Sequence, residues 1–165
     1  MRERARDKGR LQDIIEYADN VTMLIEGFDY EKLVSDKRTY YSVMKNVEVV
    51  GEAAYMLTKA FKILHPATPW KIVQGMRHVL VHDYANVVSA TLYDTAVNDI
   101  PVLRQQVEKY LAETDWEKWE SAPDDFDDSD EEALVKAARK MKGKGYSVAE
   151  IVEITGLKEE IVNSL

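Results

Sequence analysis

Residues 76–84, Met76-Arg77-His78-Val79-Leu80-Val81-His82-Asp83-Tyr84, hold an arginine, two of the chain's three histidines, an aspartate and a tyrosine in an otherwise apolar run. A guanidinium grips a phosphate with two parallel hydrogen bonds. A histidine moves a proton near neutral pH. The grouping therefore fits phosphate chemistry, and four uses compete. The residues are structural polar groups on a partly exposed helix end. Or His78 and His82, four residues apart on one helical face, bind a metal, although only Asp83, on a different face, offers a third ligand. Or Arg77 holds and neutralises a phosphodiester while His82 moves the proton of an attacking ribose 2′-hydroxyl or of the leaving oxygen. Or the surface binds phosphate or protein without turnover. The spacing constrains the third use. Five residues separate Arg77 from His82, about 140° around an ideal helix. The pair converges only if the helix frays near His82 or a second copy of the motif faces the first.

The elements that position this stretch read as helices. Leu11, Ile14, Ile15, Ala18, Val21, Thr22 and Ile25 recur at three- and four-residue spacings and predict a helix over 3–26, ended by Gly27. Phe28–Val34 reads as a turn with a short helix. Ser35 and Asp36 are N-cap residues for a second long helix over 37–64, with Gly51 inside it as a point of close helix approach. His65-Pro66 stops that helix. Thr68-Pro69 starts a third, with threonine as N-cap and proline at the first position, which ends near His82. Ser89 caps a fourth helix over 90–114 that Pro101 kinks. Trp116 and Trp119 follow in a tail that folds back. No strand-length alternation is present, so the chain is all-α, with residues 1–119 a bundle of four main helices.

Composition fits a soluble globular chain: 165 residues, 45% hydrophobic and 32% charged, with no cysteine and hence no disulfide or thiolate metal site. No leader sequence or membrane span is evident, and a cytoplasmic protein is expected. The net charge of −8 argues against coating nucleic acid by bulk electrostatics. Of that charge, −5 falls on residues 124–130 and none on 131–165, which leaves −3 for residues 1–123. Nucleic-acid binding must then be local.

Residues 120–130 read as an acidic linker and 131–165 as a separate small unit of helix-turn-helix form. That unit has a helix ended by Gly143 and Gly145, a capping box at Ser147 and Glu150, a break at Thr155-Gly156 and a restart at Leu157. Its last helix carries more acid than base, which argues against DNA binding and for a protein-contact role.

Arg77-x4-His82-x-Tyr84 resembles the R-x4-6-H-x-Y motif of the HepT-like toxins of the HEPN (higher eukaryotes and prokaryotes nucleotide-binding) superfamily. RLQDIIE at 10–16, NVEVVGEA at 46–53, HPATPW at 65–70, GMRHVLVHDY at 75–84 and NDIPVL at 98–103 match that family's pattern in order, so the resemblance covers about residues 6–113. It implies a four-helix HEPN bundle that forms a homodimer, with two motif copies lining a basic cleft. It implies a metal-independent endoribonuclease, without cofactor, as the toxin of a type VII-like toxin–antitoxin pair. The antitoxin would be a minimal nucleotidyltransferase that silences the toxin by transferring AMP onto the motif tyrosine. Carried onto this chain, Arg77 and His82 are the catalytic pair and Tyr84 the modification site. His78 stands where many members carry asparagine, and is a possible auxiliary residue. Two other readings remain at this point: a non-catalytic HEPN-type module that binds RNA, a nucleotide or the partner, and a DNA-binding regulator acting through 131–165.

Overall fold

Every described element is a helix, and the all-α expectation holds. The structure is a computed structural model that describes residues 3–82, 88–122 and 131–165, with the side chains of 77–82 and 131–133 outside that description. After one 3-10 turn at Arg4–Arg6, α1 spans Asp7–Ile25 and buries Leu11, Ile14, Ala18 and Val21 of the expected stripe, with Ile15 and Ile25 partly buried and Thr22 exposed. Gly27 follows at φ +72°, a left-handed conformation that a side chain would strain. Asp29 caps α2 (Tyr30–Ser35), and Asp36 caps α3 (Lys37–Met56) by accepting from the Arg38 and Thr39 N–H groups. α3 packs against α1, and Gly51 is buried on it.

The single helix expected over 37–64 is two helices, α3 and α4 (Lys59–Leu64). The break lies at Leu57-Thr58, and its cause is 51 residues away. The Thr58 N–H donates to Asp7 Oδ1 at 2.9 Å rather than continuing the helical ladder. Its hydroxyl donates to Asp7 Oδ2 and also caps α4 by accepting from the Phe61 N–H. Asp7 is fully buried. It accepts further bonds from Arg10 Nη1 at 3.2 Å and from Trp119 Nε1 at 3.3 Å. One carboxylate thus ties the start of α1, the α3–α4 break and α8 (Trp116–Ser121) together, and the tail folds back as expected.

α4 carries Phe61, the hub of an aromatic cluster with His65, Trp70, Tyr110, Trp116 and Trp119. Trp70 opens α5 (Trp70–His82) and donates Nε1–H to the His65 carbonyl at 2.8 Å. Thr68, the expected N-cap, precedes Pro69 at the start of this helix. The residue is 2% exposed, and its hydroxyl bonds Gln106 Oε1 and the Tyr110 hydroxyl. The Pro69 carbonyl accepts the first helical bond, from the Val73 N–H. A buried hydroxyl needs a partner, and α7 supplies two.

The last bundle helix is also interrupted. α6 (Ser89–Asp94) passes through a π-helical segment, Thr95–Asp99, into α7 (Ile100–Glu113). Pro101 lacks an N–H and crowds the carbonyl four residues back, which the wider π turn accommodates. Ser89 is the first residue of α6 rather than its cap, because its hydroxyl pairs with the Tyr40 hydroxyl at 3.0 Å.

Beyond residues 123–130, which include most of the expected acidic linker and lie outside the described residues, come α9 (Glu131–Gly143), α10 (Val148–Thr155) and α11 (Glu159–Asn163). They bury Ala138, Met141, Ile151, Leu157 and Val162 in a cluster distinct from the bundle's. The capping box at Ser147 and Glu150 forms in full, and Gly156 ends α10 at φ +71°. No described helix is long and apolar enough to cross a membrane.

His65 stacks between Phe61 and Tyr110, both 4.2 Å away between ring centres. Burial, with smaller pushes from the Lys144 and Lys140 ammonium groups, lowers its pKa from 6.5 to about 4. Between those values the unfolded chain binds the proton and the folded chain does not, so stability falls as pH drops from 6.5 toward 4. His65→Phe, compared with wild type by urea unfolding across this window, should lose less stability as pH falls, whereas parallel curves contradict the assignment. Replacing Asp7 removes the acceptor for buried donors and leaves Arg10 with only the Glu3 carbonyl, 3.5 Å from its Nη1. Asp7→Ala should cost about 3 kcal/mol in urea unfolding followed by tryptophan fluorescence, and Asp7→Asn less. A loss below about 1 kcal/mol would show that the network is dispensable.

Candidate functional site

α5 presents the chemistry, and the residues whose exposure is described fix its register. Trp70 and Val73 are buried and Met76 packs against the bundle core, while Lys71 and Gly75 face outward and Ile72 is 70% exposed. Seven residues return an α-helix to within about 20° of its starting direction. Arg77 follows Trp70 by seven, so its position falls on the inward stripe, the side where α5 packs on α3. His78 follows Lys71 by seven and His82 follows Gly75 by seven, so both positions fall on the outward side. The helix runs through His82, its last residue, so the backbone does not unwind between the two motif positions. Within one chain, the register therefore separates the Arg77 and His82 positions by about 140°.

The side chains of Arg77, His78 and His82 lie outside the described residues, as does Tyr84 entirely. Both ends of the segment between α5 and α6 are placed, however. His82 closes α5. Ser89 opens α6 and is held to α3 through Tyr40. In the sequence, Tyr84 falls between these two posts, two residues after His82. The third histidine, His65, belongs to the aromatic cluster, where burial holds it neutral near pH 7. Among the described residues, no group of three or more histidines, aspartates and glutamates is arranged to hold a metal.

Two features of the surroundings are not evident from the sequence. The buried carboxylate of Asp7 looks like any first-turn aspartate until Thr58 and Trp119 converge on it. The outward face of α3, with Tyr41 57% exposed among cations, is overshadowed by the helix's apolar stripe. The polar face at helical spacing carries the signal that would have found it.

Comparison with known proteins bears on the bundle and not on the carboxy-terminal third. The family model described as "Ribonuclease HepT-like" matches residues 14–110. The Methanocaldococcus jannaschii protein named "Putative RNase MJ1216" is 34% identical over 104 residues, which is 63% of this chain and 86% of that protein. "Probable ribonuclease HepT" of Thermococcus cleftensis is 34% identical over 62% of this chain and 93% of its own length. "Putative RNase TTE0752" of Caldanaerobacter subterraneus subsp. tengcongensis is 31% identical over 61% of this chain and 90% of its own. No solved structure matches the chain.

Proposed function

The chain belongs to the ribonuclease HepT-like family, and from that premise we propose that it is a metal-independent endoribonuclease, the toxin of a toxin–antitoxin pair acting in the cytoplasm. The observation that carries this reading is the R-x4-H-x-Y motif that begins on α5, inside the matched segment. The ribose 2′-oxygen attacks phosphorus, the bond from phosphorus to the 5′-oxygen breaks, and a 2′,3′-cyclic phosphate remains. One proton leaves the 2′-hydroxyl and one reaches the departing 5′-oxygen. His82 is the general acid or base for this exchange. Arg77 neutralises the charge that builds on the pentacoordinate phosphate. His78, on the same side of α5 as His82, is a candidate auxiliary group.

The register of α5 supports a homodimer. With Arg77 on the inward stripe and His82 on the outward side, a site using both gains from a second motif across a two-fold axis. Tyr84 is the control point in this reading. A minimal nucleotidyltransferase antitoxin transfers AMP from ATP onto its hydroxyl and releases pyrophosphate, placing a phosphate and a nucleoside two residues from His82. The added charge repels an incoming RNA phosphate and the added bulk fills the cleft.

His82→Ala should abolish cleavage of total RNA in EDTA, with thermal unfolding unchanged, and full activity in that variant would overturn the assignment. Co-expression with the nucleotidyltransferase should add the mass of one AMP, or several, at Tyr84. Unmodified protein beside a partner that is active on another substrate would remove the control mechanism.

A further inference from the structure

The outward face of α3 has no part in the chemistry above, and it carries an exposed aromatic ring set among cations. Tyr41 is 57% exposed. Lys37, Arg38 and Lys45 lie four and three residues before it and four after it. At 100° per residue these three and Tyr41 share a stripe about 100° wide, and the cations at its two ends are about 12 Å apart along the axis. The ring is held in place from below. It meets the buried Tyr40 ring edge-on, at 5.5 Å and 86°. Lys37 Nζ stands 5.4 Å over the same Tyr40 ring, so its charge is kept beside Tyr41.

The local carboxylates are already engaged. Asp36 accepts from the Arg38 and Thr39 N–H groups and from the Thr39 hydroxyl. Glu48, itself half-buried, pairs with the exposed Lys45 at 2.7 Å, and such pairs at a surface hold weakly, so a phosphate can compete for Lys45. In a chain of net charge −8, three cations around an open aromatic ring, set against the two carboxylates of Asp36 and Glu48, leave this face locally positive. The helix that bears this face also contacts the elements that flank the motif. α3 packs along α5, and Tyr40, the neighbour of Tyr41, is bonded to Ser89 at the start of α6. Seven residue steps separate Ser89 from His82, at most about 25 Å of chain.

We infer that Tyr41, with Lys37, Arg38 and Lys45, forms a binding subsite for single-stranded RNA, a base stacking on the Tyr41 ring while the cations hold the flanking phosphates. The inference takes its ligand from the ribonuclease reading and adds where the strand lies outside the motif. An exposed, pre-oriented aromatic ring accepts any base, and a cationic groove tracks the backbone. The subsite therefore strengthens binding without selecting sequence. Tyr41 is a positioning residue, and its loss acts on KM and not on kcat.

The test uses the full chain and a fluorescein-labelled, twelve-nucleotide RNA with 2′-O-methyl riboses, which cannot be cleaved through the 2′-oxygen. Fluorescence anisotropy should show Tyr41→Ala binding about tenfold more weakly than wild type, with Tyr41→Phe close to wild type. Lys37→Ala and Arg38→Ala should each lower the salt dependence of binding, by about 0.7 in the log–log slope for each phosphate that is no longer neutralised. On cleavable RNA, Tyr41→Ala should raise KM about tenfold with kcat unchanged. Equal affinity of wild type and Tyr41→Ala overturns the inference, as does a wild type that binds no RNA. Equal losses in Tyr41→Phe and Tyr41→Ala overturn it too, because the hydroxyl and not the ring would then touch the RNA. Unaltered RNA binding by Tyr41→Ala, with loss of binding to a protein partner, would reassign the face to that partner. If the protein cleaves nothing yet binds the oligonucleotide in a Tyr41-dependent way, the ribonuclease reading falls and the subsite stands.

Discussion

A buried carboxylate imposes the strictest local requirement in this bundle. Asp7 is wholly removed from solvent, so each oxygen must be met by donors or the burial is prohibitive. The donors come from three places far apart in the chain: Arg10 one turn on, Thr58 at the α3–α4 break, and Trp119 in α8. Satisfying Asp7 therefore breaks the long helix and sets where α4 begins. α4 in turn places Phe61, Phe61 gathers the aromatic cluster, and Trp70 of that cluster opens α5. The register of the motif helix follows from this chain of interactions. The Arg77 position is on the inward stripe because Trp70 is, seven residues earlier.

The end of the bundle where α5 stops and α6 begins is organised by a second, smaller interaction. The hydroxyl pair of Tyr40 and Ser89 joins α3 to the first residue of α6. It fixes one end of the segment whose other end is His82. The stretch of sequence that carries Tyr84 thus starts and finishes at fixed points of the bundle. Next to Tyr40, Tyr41 turns outward among Lys37, Arg38 and Lys45. The overall acidity of the chain makes such local placement necessary for any polyanion to be held.

The features legible in the sequence are local ones. Gly27, Asp36, the Ser147 and Glu150 capping box and Gly156 act within one turn of themselves, and each does what its residue type predicts. The motif that begins on α5 is legible for the same reason, since its residues lie within eight positions. The features that differ depend on distant partners. Thr58 breaks a helix because of Asp7, 51 residues away. Thr68 bonds Gln106 and Tyr110, about 40 residues on. Ser89 enters its helix because Tyr40 takes its hydroxyl. The π segment before Pro101 is local, but it replaces a kink with a wider turn, which spacing alone does not distinguish. The geometry between Arg77 and His82 is legible only as a constraint: about 140° apart on a helix that the backbone carries through both positions.

The central claim is that RNA is cut by its own 2′-oxygen, with Arg77 and His82 as the catalytic pair and no metal ion. The most direct measurement is the chemistry of the new ends when purified protein cleaves a defined RNA in EDTA. The account predicts a 2′,3′-cyclic phosphate on one fragment and a 5′-hydroxyl on the other. Fragments ending in a 3′-hydroxyl and a 5′-phosphate, or cleavage that stops when EDTA is added, would contradict it.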